Sequence, residues 1–456
     1  MNFARNITLA ACCLLAGACG KSRPVATARS KPMEPPCYWV WHRSNALKPA
    51  ELENLRRAGT KTLYWQAVEC GWKDGKWDAV RIAAPMAEIE GVAVIPVYRI
   101  KPETDFLGSP DAVESFARLF TNWADGGKFT GLQLDFDCPD RLLDRYGKFL
   151  RELGQGIAPV KISITALASW PRHPEFAQLA GSVSAMAPMF YDLQADKPED
   201  VLKSRFQPMA DLKSRALIES WSACPVPWLA GLPNFERISV FNLNGSLSGH
   251  LRGWTHDDLF FKEGMKPTAL GEGITSYETR AFTSLAGTPV SAGSRIVYRT
   301  PDQEALAKLS QVADEAGAAG VIYFVLPGPG IQAAFSAGHL ACKSSPQLEL
   351  ILHENGSVVL KNGGPADLPA NPAEGAWTLV LESETAGIFR SGAPGNFARV
   401  TVPGGLPAEL ATQVVLHFSK LAGGESIASG PVVADAKRVL WSVPGITARA
   451  VAAGTK

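Results

Sequence analysis

The chain has few of the groupings that hold transition metals. Its seven histidines are scattered, with no H-x-x-x-H or similar cluster. The five cysteines beyond the amino-terminal segment, Cys37, Cys70, Cys138, Cys224 and Cys342, have no metal-ligand spacing. The expectation is chemistry with neither metal nor cofactor, and the odd cysteine count leaves at least one thiol without a disulfide partner. Excess charge of either sign is also missing. Lys and Arg number 45 against 44 Asp and Glu, a net charge of +1. No basic stripe or acidic tail interrupts that balance, which argues against nucleic acid as a partner. No Gly-rich dinucleotide fingerprint follows the first strand-like run, Tyr38–His42, so a doubly wound nucleotide-binding sheet loses its main support. The amino-terminal apolar run, Ile7–Ala16, is too short to span a bilayer.

That run follows Arg5 and precedes Gly17-Ala18-Cys19-Gly20, the layout of a secretory signal. Small residues immediately before a cysteine resemble a bacterial lipobox, which implies cleavage before Cys19 and lipidation of its thiol. Ala16 stands where Leu is commonest. The other match, Leu9-Ala10-Ala11-Cys12, leaves almost no apolar region in front of it. Residues 1–19 therefore read as a lipoprotein signal peptide, and 20–36, polar with Pro and Ser, as a flexible tether. Gly20, in place of the Asp that commonly retains lipoproteins at an inner membrane, makes the outer membrane the expected site, facing the periplasm or the cell surface.

Residues 37–342 alternate β-rich runs with helical patterns, the texture of a parallel sheet with crossover helices. The runs are Tyr38–His42, Thr62–Ala67, Val92–Tyr98, Gly131–Asp137, Lys161–Ala166, Ser184–Tyr191, Trp228–Pro233 and Gly320–Leu326. Between them, Pro49–Ala58, Asp111–Trp123 and Leu142–Leu153 have helical spacing. The count fits an α/β fold, a (β/α)8 TIM-like barrel. Glu236–Ala318 is too long for a loop and reads as an insertion after strand seven, with a strand at Ser294–Tyr298 and a helix at Pro301–Ala316. From 346 to 456 the texture becomes short alternating strands, with Asn355-Gly356 a hairpin signal. This segment reads as a small all-β, sandwich-like domain.

Gly131-Leu132-Gln133-Leu134-Asp135-Phe136-Asp137 aims Gln133, Asp135 and Asp137 at one face and Leu132, Leu134 and Phe136 at the other. Paired carboxylates at such a place push their pKa values apart, which acid/base chemistry exploits. A competing local use is helix capping, for which Asp140 serves at least as well. Barrel sites lie at the carboxyl ends of the strands. That rule adds Trp41 and His42 on strand one, Tyr64 and Glu69 on or after strand two, Tyr98 and Arg99 on strand three, and Trp170 after strand five. Tyr191 and Asp192 end strand six, Asn234 follows strand seven and Tyr323 lies near the end of strand eight. The aromatic rim suggests a sugar ligand, because aromatic faces stack on sugar rings.

Gly131–Asp137 resembles the D-G-L-D-I-D-W-E strand of chitinase-like family 18 glycoside hydrolases. Met189-Phe190-Tyr191-Asp192 resembles their M-x-Y-D, and Gly231-Leu232-Pro233-Asn234-Phe235 their G-L-P-x-Y. The whole arrangement is also similar to a bacterial lipoprotein group called domain-of-unknown-function family 3142. The chitinase resemblance implies that Asp137 takes the place of the Glu general acid, that Asp135 orients the substrate's N-acetyl group, and that Tyr191 bonds the acetamide as it attacks the anomeric carbon. Gln133 departs from that family by replacing an Asp, and Asp137 is one methylene shorter than Glu. A protein nucleophile or a general base would need a further carboxylate, for which Glu69 and Asp192 are candidates. Two functions fit. One is a lipid-anchored glycoside hydrolase acting on a polysaccharide or oligosaccharide, and the other a non-catalytic glycan-binding lipoprotein.

Overall fold

The computed structural model describes residues 32–83, 89–123, 129–285, 287–326, 331–342, 344–370, 376–434 and 439–446. The segment expected to be a signal sequence, with Cys19, and most of the expected tether lie outside the described residues. Eight parallel strands close a barrel, and only these are numbered: β1 Cys37–Val40, β2 Thr62–Lys73, β3 Ala93–Ile100, β4 Gly131–Asp135, β5 Lys161–Leu167, β6 Ala185–Met189, β7 Leu229–Pro233 and β8 Gly320–Leu326. Each pairs with its successor, and β1 pairs with both β8 and β2, which leaves no barrel edge. β2 runs past the barrel and folds back as an antiparallel hairpin with Lys76–Arg81.

Strand alternation builds two cores. Outward side chains such as Tyr38, Leu63, Leu132, Leu134, Ile164 and Leu232 meet the helices, while Trp39, Trp41, Tyr64, Val97 and Ile322 fill the interior. The helix Pro49–Arg57 begins with Pro at its first turn, and its Glu51 carboxylate accepts the Lys48 backbone N–H at 2.6 Å. Ala112–Trp123 turns Phe116 and Phe120 inward, one helical turn apart. Asp140 caps nothing. It lies within the 3-10 turn Asp140–Leu142 and faces His173 Nε2 at 3.1 Å, while helix Leu143–Gly156 starts without a side-chain cap. Gly231 has a steric reason to be glycine: a Cβ there would stand 2.7 Å from the Pro188 carbonyl oxygen and 3.1 Å from the Trp39 ring.

Between β7 and β8 an insertion forms a five-stranded antiparallel sheet from Arg237–Phe241, Leu247–His250, Met265–Gly271, Ile274–Thr279 and Arg295–Arg299. Its own core is built on Ile238, Val240, Leu259, Tyr277 and Ile296. The carboxy-terminal all-β part has one sheet of three strands and one of four, closed over Leu360, Leu379, Leu416 and Phe418. It docks on the barrel through buried polar groups. The Asp367 carboxylate accepts from Ser336 N and Oγ, both at 2.6 Å, and from Gly423 N at 2.7 Å. Lys420 Nζ reaches Glu236 Oε1, just past β7, at 2.5 Å. The described residues contain no helix long and apolar enough to cross a membrane. Cys37, Cys70, Cys138, Cys224 and Cys342 are all free thiols.

Candidate active site

The carboxyl-end rows of β2, β3 and β4 are in register: Glu69 pairs with Arg99, and Arg99 with Asp135. A β-bulge on β2 sets this register. The pairing slips between Gln66 and Val68, so that Ala67 and Val68 both pack outward on the helix-side core and Glu69 turns to the inward row. Bulges re-aim side chains in this way beside functional sites. Without it, strict alternation would point Glu69 at the helices.

Asp135 is the most constrained member of the row. Its side chain is 16% exposed, Thr165 Oγ1 on β5 donates to its Oδ1 at 2.9 Å, and Arg99 Nε stands 3.9 Å from its Oδ2. Burial, reinforced by the neighbouring charge of Asp137, lifts its pKa to about 6, against the opposing pull of Thr165 and Arg99. Asp137 lies two residues past the end of β4 and is exposed to solvent. Surrounding protein displaces enough water to raise its pKa, and Arg99 pulls the other way. Arg99 thus influences both carboxyls from a half-open position, its side chain 46% exposed.

Aromatic side chains form the floor. Tyr191 stacks on Phe324 with centroids 5.8 Å apart and planes 21° apart, and Trp41 and Phe235 meet Phe324 edge-on at 5.7 and 5.6 Å. Burial drives the Tyr191 hydroxyl well above its ordinary range, and the charges of Asp135, Asp192 and Asp137 add to the effect. Deeper in the barrel, Trp39 Nε1 donates to Gln133 Oε1 at 2.7 Å, and Gln133 Nε2 is buried with no hydrogen-bond partner among the described residues. Two rim residues have left-handed backbone, His42 at φ 48° and Asp192 at φ 52°. Non-glycine residues hold such angles only when their surroundings fix them. The His42 N–H is held by Gln66 Oε1 at 3.0 Å, and Asp192 is clamped by Arg237 through two bonds of 2.6 and 2.5 Å. Burial and the charges of Arg99 and Arg252 lower the His42 pKa, with Glu69 opposing.

The fold therefore gathers Gln133, Asp135, Asp137, Tyr191, Asp192, Glu69, Arg99 and Trp41 around one mouth, and it takes five expected residues elsewhere. Tyr98 points outward and packs against Phe116 and Phe120, because in the register it is Val97 and Arg99 that share the inward face with Gln133 and Asp135. Tyr323 is likewise outward, stacked on Tyr38 at 5.8 Å, and its neighbour Phe324 takes the floor position. Trp170 is fully buried in the helix-side core against Tyr146. Tyr64 faces inward but low, level with Trp39 on β1, and burial, with smaller contributions from Cys37 and Glu34 at the barrel's amino-terminal end, raises the pKa of its hydroxyl. Asn234 is a structural clamp. It donates to the Val325 and Phe335 carbonyls at 3.1 and 3.0 Å and accepts the Phe335 N–H at 3.0 Å.

Trp39, Thr165, Phe324 and Arg237 enter the site without a motif of their own. Alternation from Asp135 across to β5 points to Thr165, but only the barrel's closure shows which half of the Tyr323-Phe324 pair faces inward. Among the described residues no group of three or more His, Cys, Asp or Glu side chains could hold a metal ion. A cleft of about 520 Å³ lies between the barrel and the β-domain, with Arg43, Glu51, Phe335 and Lys420 among its lining and neither Asp135 nor Asp137 part of it.

Residues 90–237 match the family described as Domain of unknown function (DUF3142), a span that includes β3 to β7 with Asp135, Asp137, Tyr191 and Asp192. No curated protein matches the chain. Among solved structures, the chain is similar to the spore cortex-lytic enzyme SleL of Bacillus megaterium QM B1551, with 11% identity, a TM-score of 0.46, and 65% of this chain and 72% of that one covered. It is also similar to a glycoside hydrolase family 18 N-acetylglucosaminidase of Paenibacillus barengoltzii, at 12% identity and a TM-score of 0.40, covering 65% of this chain and 95% of that one. For a chitinase of Bacillus thuringiensis the values are 9% identity and a TM-score of 0.43, over 90% of this chain and 100% of that one.

Proposed function

We propose that this chain is a lipid-anchored, extracytoplasmic glycoside hydrolase whose carboxyl pair Asp135–Asp137 supplies the proton for glycosidic cleavage. The observation that carries this reading is the pair itself: two carboxyls, both lifted in pKa, at the carboxyl end of a (β/α)8 barrel. Asp137, the exposed member, delivers its proton to the leaving oxygen. Asp135 is the less exposed member, and the charge of Asp137 adds to the burial that raises its pKa. The Tyr191–Phe324 stack below them offers an apolar face to a sugar ring. The test is turnover of N-acetylated and neutral oligosaccharides by wild type and Asp137→Asn. The variant should keep binding and lose about 10²- to 10⁴-fold in kcat. Unchanged turnover in Asp137→Asn would refute the assignment of the acid.

Gln133 favours a second reading, a glycan-binding barrel without turnover. Its amide oxygen is held by Trp39 and it cannot ionise, so this face of β4 carries one charge fewer than the chitinase-like pattern. Binding by both wild type and Asp137→Asn, with hydrolysis by neither, would establish that function. Anchoring through Cys19 at the outer membrane belongs to the same proposal. Intact-mass analysis of the membrane fraction should find a diacylglycerol-bearing Cys19 at the mature terminus, and Cys19→Ser should release the protein from the membrane.

A further inference from the structure

The insertion sheet brings three arginines into one row beside the barrel mouth. Arg237 and Arg299 pair directly across neighbouring strands. On the other side of Arg237, His250 pairs with Ser239 and the Leu251 N–H reaches the Ile238 carbonyl at 2.9 Å, which carries the antiparallel pairing onward and brings Arg252 next to Arg237. Ile238 and Leu251 turn to the insertion's own core, so by alternation Arg237 and Arg252 share the opposite face with Ser239 and His250. Like charges on neighbouring strands repel, and such a row holds where anions offset it. Two carboxylates do so from the segment after β6. Asp192 takes Arg237 through two bonds, and Asp196 takes Arg299 in a buried pair at 2.5 Å. Arg252, outermost and exposed at the sheet edge, has no carboxylate partner among the described residues.

The unmatched guanidinium acts on the rim of the site. Burial lowers the His42 pKa, and the charges of Arg99 and Arg252 lower it further against the pull of Glu69. His42 follows β1 and Arg237 follows β7, each three strands around the barrel from β4, which ends in Asp135 and leads to Asp137. An anion held by Arg252 therefore belongs to the opposite side of the mouth from the carboxyl pair. Resting on the hydrolase reading above, we infer that the substrate is an acidic glycan and that Arg252 binds an oxyanion on it, a carboxylate or a sulfate, away from the bond that is cleaved. The guanidinium meets such a group through two parallel N–H bonds. The ligand's oxyanion fills the place that Asp192 and Asp196 hold for the two inner arginines, and a neutral sugar chain would leave Arg252 unmatched.

The experiment is calorimetric titration of the full chain in detergent. Unsulfated chondroitin hexasaccharide and hexagalacturonate are the carboxylate probes, and their methyl esters are the uncharged matches. The methyl ester of chondroitin 6-sulfate hexasaccharide is the sulfate probe. At least one acidic probe should bind about tenfold or more tightly than its uncharged match. Arg252→Gln should bring that ratio to within about twofold, and Arg252→Lys should keep part of it. Arg118→Gln, which removes an exposed charge from the helix Ala112–Trp123, should leave the ratio intact. Equal binding of acids and esters, an acid preference that survives Arg252→Gln, or no binding of any probe would overturn the inference, and the hydrolase reading would still be decided by the turnover of Asp137→Asn. Acid-selective binding through Arg252 with no hydrolysis of the bound probe would uphold the anion site and remove the hydrolase reading instead.

Discussion

Replacing Asp135 with Asn should make the protein more stable at alkaline pH. In an unfolded chain this carboxyl gives up its proton near the usual 3.8, and in the folded protein near about 6. Between those values the folded state binds more protons than the unfolded one, so stability falls as pH rises and the full loss is in place above about pH 6. At about 1.4 kcal/mol per pH unit the penalty at pH 8 is about 3 kcal/mol, a charge kept in a site where the side chain is 16% exposed. Asn keeps an acceptor for the Thr165 hydroxyl but carries no charge. Urea unfolding at pH 4, 6 and 8 should therefore show Asp135→Asn close to wild type at pH 4 and about 2–3 kcal/mol more stable at pH 8. A variant less stable than wild type at pH 8, or a stability difference that does not change with pH, would refute the argument that burial and Asp137 lift this carboxyl.

Two further outcomes test the placement of the rest. Phe324→Ala should weaken sugar binding by removing the ring under Tyr191, whereas Tyr323→Phe, on the helix side of the same strand, should leave affinity within about twofold; calorimetric titration separates the two. Gly231→Ala should cost at least about 1–3 kcal/mol in chemical denaturation, because the added methyl meets the Pro188 carbonyl oxygen at 2.7 Å and the Trp39 ring at 3.1 Å.

The amino-acid sequence by itself determined the barrel, the insertion after β7, the β-rich tail and the face shared by Gln133, Asp135 and Asp137. These depend on period-two and helical spacing and on turn residues such as Asn355-Gly356, all local properties of the chain. It could not decide which of two adjacent residues faces the barrel interior, because alternation fixes relative and not absolute orientation. Tyr98 and Tyr323 therefore looked as suitable as Arg99 and Phe324 until the closed barrel assigned inside and outside. Nor could the string of residues reveal the bulge at Ala67. A bulge is a mismatch between two paired strands, and it exists only once β2 lies beside β3. Asn234, a rim residue in sequence, became a buried clamp for the same reason: its partners Val325 and Phe335 lie about a hundred residues away, and only the closing of β8 beside β7 brings them within reach.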